Sequence, residues 1–79
     1  LLARFLEEYP FQPATAVWRA VELAKLAAHP VPPGRGLDLG CGDGRLTRVL
    51  LETWGPHPLV GVDIDPAETA LAQAEGIYE

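Results

Sequence analysis

Three glycines alternate in the stretch Leu37-Asp38-Leu39-Gly40-Cys41-Gly42-Asp43-Gly44, and a further acid, Asp63, follows nineteen residues beyond Gly44. Glycine lets a backbone turn sharply and lets a ligand approach it closely. A carboxylate at the end of the next strand sits where a ribose lies in nucleotide folds, and it can accept hydrogen bonds from both ribose hydroxyls. The pattern therefore points to a nucleoside-bearing ligand. A glycine-rich turn alone is a weak signal. Here an apolar strand precedes it, a helical pattern follows it, and an acid ends the second apolar run, which together make a much stronger one.

Charge separates the candidate nucleosides. A mononucleotide phosphate loop places Lys-Ser or Lys-Thr after its last glycine, whereas Arg45-Leu46 stand here. A dinucleotide turn is spaced Gly-x-Gly-x-x-Gly, but this one is Gly-x-Gly-x-Gly, with Arg45 where a small residue is needed. Asp38 and Asp43 flank the turn, and two carboxylates would oppose a poorly solvated pyrophosphate by roughly several kcal/mol. S-adenosylmethionine carries no phosphate; its ammonium and sulfonium make it cationic, and an acidic turn suits it. An NAD-dependent oxidoreductase and a non-catalytic nucleoside-binding module remain as alternatives.

The other reactive side chains have plainer readings. Asp38 inside an apolar strand is costly to bury without a partner, so a ligand role is expected. Asp65 reads as a helix N-cap, and Asp43 as an acid stabilised by a helix N-terminus. Cys41 is a small residue that fits the turn; no histidine lies near it in sequence to act as a base. His29 and His57 lie beside prolines in loops, where solvation is expected and metal binding is not. Arg19 is expected on a solvated helix face, although it could reach the carboxylate of a methionine moiety. Trp18 is either a packing residue or a pocket wall. No general base is visible.

The elements that must position these groups follow from periodicity and punctuation. Leu2, Phe5, Leu6 and Tyr9 recur at helical spacing before Pro10. Residues 14–29 form a longer helix with Val17, Ala20, Val21, Leu23, Ala24, Ala27 and Ala28 on one arc and Thr15, Arg19, Glu22, Lys25 and His29 opposite. Pro30, Pro32, Pro33 and Gly34 then make a stiff linker. Residues 36–39 form a strand and 45–54 a helix whose inner face is Leu46, Val49, Leu50 and Trp54. Gly55 and Pro56 stop that helix. Residues 59–62 form a second strand. Asp65, Pro66 and Glu68 start a third long helix, with Ala67, Ala70, Leu71 and Ala74 inward and Gly76 at its end. Ile77-Tyr78 is expected to open another strand. Strand, helix, strand with a connection of this length means a parallel pair with a right-handed crossover, the start of a doubly wound α/β sheet. Two parts are expected: residues 1–33, helical with the proline-rich linker, and residues 34–79, the nucleoside-binding part.

The first motif, Leu37 to Gly44, resembles that of class I S-adenosylmethionine-dependent methyltransferases. Val60-Gly61-Val62-Asp63-Ile64-Asp65-Pro66 resembles their second motif, and the helix bearing Trp18-Arg19 resembles the extra helix that precedes the first in many of them. The resemblance covers residues 36–76, about half of the chain. It implies a Rossmann-like fold of which this chain holds the first two strands, S-adenosylmethionine as cofactor, and transfer of its methyl group to an acceptor that neither motif specifies. It also implies cofactor-binding residues Asp38, Gly40, Cys41, Gly42, Gly44, Asp63 and Ile64. Among these, Asp38 lies near the ammonium, Gly40 and Gly42 line the methionine and ribose, Asp63 holds the ribose hydroxyls, and Ile64 packs on adenine.

Composition bounds the rest. The 79 residues carry eleven acids and six bases, a net charge of −5, with 48% apolar and 22% charged residues. That is a globular composition. The charge balance indicates neither a phosphate-tracking nucleic-acid surface nor a basic membrane patch. No apolar run is long enough to span a bilayer. A single cysteine gives no internal disulfide and no cysteine-based zinc site. The chain starts at Leu1 and contains no methionine, so a segment of a longer protein is expected. No secretory leader pattern is visible, which favours a cytoplasmic setting.

Overall fold

A computed structural model describes every residue except Pro32, so the part of the proline-rich linker expected there lies outside the described residues. The chain forms two compact units, Leu1–Pro30 and Val31–Glu79.

The first unit is a helical pair, α1 (Leu2–Glu8) and α2 (Pro13–Ala27), packed against each other. Pro13 occupies the first turn of α2, where its missing N–H costs nothing. The helix ends at Ala27 rather than His29, because Pro30 disfavours helical backbone at the residue before it. His29 N–H instead donates to Leu26 O in a final tight turn. Phe5, Ala16 and Leu23 are fully buried, and the Phe5 and Tyr9 rings stack with centroids 6.4 Å apart. The inward stripe of α2 thus runs through Ala16 and Leu23. The expected apolar arc is corrected: Val17 and Val21 face solvent while the small Ala16 meets the neighbouring helix. Trp18 is 67% exposed, and its Nε1–H donates to Glu22 Oε1 at 2.7 Å. Arg19 Nη1 binds the other oxygen of Glu22 at 2.8 Å.

The second unit is α/β. Strands β1 (Gly36–Leu39) and β2 (Leu59–Val62) are parallel, with Gly36, Leu37, Asp38 and Leu39 opposite Leu59, Val60, Gly61 and Val62. Helix α3 (Arg45–Trp54) connects them and α4 (Pro66–Ala74) follows. This is a partial Rossmann-like arrangement. Glycine and proline fix its boundaries where expected: Gly55, at φ 85°, closes α3 through Gly55 N–H to Leu51 O at 2.7 Å. The Asp65 carboxylate caps α4 by accepting from Ala67 N–H at 2.9 Å, with Pro66 next in the chain. Val49 and Ala72 are the buried apolar side chains.

Two expectations are overturned here. The inner side of α4 is Ala72, not the stripe of Ala67, Ala70, Leu71 and Ala74; Leu71 is 57% exposed. Ala72 is turned inward onto Gly44: its Cα and Cβ lie 3.5 and 3.6 Å from where a side chain on Gly44 would begin, an ordinary packing contact. Ile77-Tyr78 forms no strand. Glu79 N–H reaches the edge of β2, donating to Leu59 O at 2.8 Å, while the Tyr78 side chain turns onto the sheet. On the other sheet face Leu37, Leu39 and Val62 are exposed, Leu39 to 75%.

Candidate functional site

The turn between β1 and α3 forms because Gly40, Gly42 and Gly44 all adopt positive φ, at 66°, 57° and 82°. An L side chain is disfavoured at each. The backbone of the turn is tied to the end of β2: Gly40 and Cys41 N–H both donate to Val62 O, at 2.7 and 3.0 Å. The same glycines serve different surroundings. A Cβ on Gly40 would meet nothing within 4 Å, so that position opens outward, whereas Gly44 is buried under Tyr78 and Ala72.

Asp63, just beyond β2, joins the two loops. Its Oδ2 accepts from Gly42 N–H and its Oδ1 from Asp65 N–H, each at 2.9 Å. The Asp65 and Gly42 amides, in that order, hold the Asp63 carboxyl below its ordinary pKa. Each oxygen has a second lone pair for an outside donor. Ile64 beside it is fully exposed, an apolar side chain presented to solvent.

Asp38 has partners that the sequence did not reveal. Its Oδ2 accepts from Thr47 Oγ1 on α3 and from the Tyr78 hydroxyl, both at 2.6 Å. The carboxylate in the apolar strand is therefore satisfied from within the unit. Thr47 lies nine positions away and Tyr78 forty, and neither spacing marks a pair in sequence. Asp43 binds Arg45 twice, through the backbone N–H at 3.0 Å and Nε at 2.7 Å. This corrects the charge reasoning: Asp43 is compensated by Arg45, and the negative charge of the site rests on Asp38 and Asp63. Burial first, then the charges of Asp38 and Asp63, push the Cys41 thiol upward, which disfavours its thiolate form. Its Sγ lies against Gly61 and Tyr78. Arg19 and Trp18, in the other unit, are engaged by Glu22.

The structure thus brings Gly40, Gly42, Asp63 and Ile64 to the carboxyl ends of the two strands, with Asp38 within β1 below them and Cys41 and Gly44 packed beneath the turn. Among the described residues, no cluster of three or more potential metal ligands occurs, and no helix is long and apolar enough to cross a membrane.

Residues 12–77 match a family described as a methyltransferase domain. The chain belongs to the class I methyltransferases. It is 40% identical over 52 residues to the trans-aconitate 2-methyltransferase of Streptomyces avermitilis, covering 66% of this chain and 19% of that protein. It is 43% identical over 54 residues to the protein of the same name from Acidovorax sp. strain JS42, covering 68% and 20%. It is 57% identical over 30 residues to the 7SK snRNA methylphosphate capping enzyme of Mus musculus, covering 38% and 4%. The chain spans about a fifth of the length of these two trans-aconitate methyltransferases. No solved structure gives a significant match.

Proposed function

We propose that this methyltransferase segment binds S-adenosylmethionine at the carboxyl ends of β1 and β2, and that the whole protein transfers the donor's methyl group to an acceptor. The observation that carries the reading is the Asp63 carboxylate, locked by Gly42 and Asp65 N–H beside an open glycine turn. The residues present fit the donor. Gly40 leaves open space against the backbone, Ile64 offers an exposed apolar surface to a purine, and Asp63 keeps lone pairs for two ribose hydroxyls. Asp38 supplies a negative charge to the ammonium end. Gly42 contributes closeness of backbone, while Cys41 and Gly44 shape the turn from below.

S-adenosylmethionine, when bound, supplies a methyl already activated on a sulfonium. The tasks left to this chain are then orientation and exclusion of water. Asp63 anchors the ribose and Asp38 the opposite end, which fixes the donor along the strand ends. A relative named for trans-aconitate and one named for the 7SK snRNA cap each match a stretch of this chain. The segment therefore serves the donor side, and acceptor choice belongs to other parts of the protein.

The test is S-adenosylmethionine binding by the full-length protein and two variants. Asp63→Ala is expected to weaken binding at least about tenfold, since charge-assisted hydrogen bonds are lost. Asp65→Ala, which removes a helix cap, is expected to leave affinity within about twofold. Equal losses at the two positions would contradict the assignment.

A further inference from the structure

Tyr78 is the residue that neither the motifs nor the matched relatives' names point to, and the unit is shaped around it. Its ring lies over β2 at Gly61, where a Cβ would come within 2.9 Å of Tyr78 Cε1 and 3.0 Å of Tyr78 Cδ1. A Cβ on Gly44 would come within 3.0 Å of Tyr78 Cε2. Two glycines thus leave the seat that lets the ring cross β2 and place its hydroxyl on Asp38 of β1, at 2.6 Å. Thr47 reaches the same oxygen from α3 at the same distance.

Both donors are neutral hydroxyls. Arg45 cancels the charge of Asp43, but a hydroxyl satisfies lone pairs on a carboxylate and leaves its charge in place. Both also land on Oδ2, so Oδ1 keeps its lone pairs for a further donor. Burial above all, and then the bond to Asp38, raise the Tyr78 hydroxyl far above its ordinary pKa. It remains a donor across the whole physiological range.

We infer that Tyr78 and Thr47 are positioning residues: they clamp Oδ2 of Asp38 and reserve the other oxygen, with its charge, for the ammonium of the methyl donor. This rests on the S-adenosylmethionine reading given above. Neither residue need touch the ligand. Their effect is to fix which oxygen of Asp38 is presented and in what orientation.

The test compares two ligands in the full-length protein by titration calorimetry: S-adenosylmethionine, and methylthioadenosine, which keeps the nucleoside and lacks the ammonium-bearing end. Tyr78→Phe and Thr47→Val each delete one hydroxyl with little change of shape. Each is expected to weaken S-adenosylmethionine about three- to tenfold and to leave methylthioadenosine within about twofold. Thr47→Ser, which restores the hydroxyl, should regain the affinity. Either variant alone carries the test if the other does not fold. Equal weakening of both ligands would mean a merely structural role, and unchanged affinity for both would mean none; either result overturns the inference while leaving the donor reading intact. A wild-type protein that binds neither ligand overturns the donor reading and this inference with it.

Discussion

Gly61→Ala tests whether the Tyr78 ring holds the second unit together as described. Gly61 has an ordinary strand conformation, so alanine brings no backbone strain; its effect is one of space alone. The new methyl would lie 2.9 and 3.0 Å from two Tyr78 ring carbons and 3.0 Å from Cys41 Sγ, against an optimal carbon–carbon separation of about 3.5–4.0 Å. A rigid ring cannot retreat by the missing half ångström or more without carrying its hydroxyl away from Asp38. Overpacking of this kind costs about 1–3 kcal/mol, and loss of the hydrogen bond adds about 1 kcal/mol. The lower entropy of an unfolded chain with alanine returns about 0.4–1 kcal/mol. The expected net loss is about 1–4 kcal/mol, read as a lowered urea midpoint at unchanged slope. Tyr78→Ala removes two of the three close contacts, so Gly61→Ala should cost under about 1 kcal/mol in that background, a coupling that a double-mutant cycle measures. A cost below about 0.5 kcal/mol in the wild-type background, or one that does not depend on Tyr78, would refute the packing described.

Three further outcomes follow from the same geometry. Asp65→Ala should cost about 1 kcal/mol of stability through loss of the α4 cap, measured by urea unfolding. Because the folded pKa of Asp63 lies below its ordinary value of 3.8, its contribution is full above that value and is lost as pH falls through the folded pKa. The stability gap between wild type and Asp63→Asn should therefore narrow as pH is lowered from about 6 to about 3, and a gap that widens would contradict the two amide bonds. The 79-residue chain taken alone, with Leu37, Leu39 and Val62 exposed on one face of the sheet, should associate in sedimentation and do so less with Leu39→Lys; a monomer with sharp cooperative unfolding would contradict this.

The boundaries of β1, α3 and β2 were legible because glycine and proline set them locally: Gly36 and Gly40 around β1, Gly55 and Pro56 after α3. The Asp65 cap was legible for the same reason, since it needs only the residues next to it. What sequence reasoning missed depends on contacts distant along the chain. The facing of α4 is set by the packing of Ala72 onto Gly44, a contact between distant parts of the chain that periodicity does not encode. Asp38 read as an unpartnered acid because its partners, Thr47 and Tyr78, reach it only when the strands pair and the chain returns over Gly61. A glycine at position 61 inside an apolar strand was the one available signal that a bulky group crosses there. Asp43 read as part of an acidic turn, although Arg45, two residues on, folds back to neutralise it.

The decisive measurement is a calorimetric comparison of S-adenosylmethionine and NAD on the full-length protein. A turn whose charge rests on Asp38 and Asp63, with Arg45 paired to Asp43, predicts binding of S-adenosylmethionine and no measurable binding of NAD. Tighter binding of NAD would contradict it.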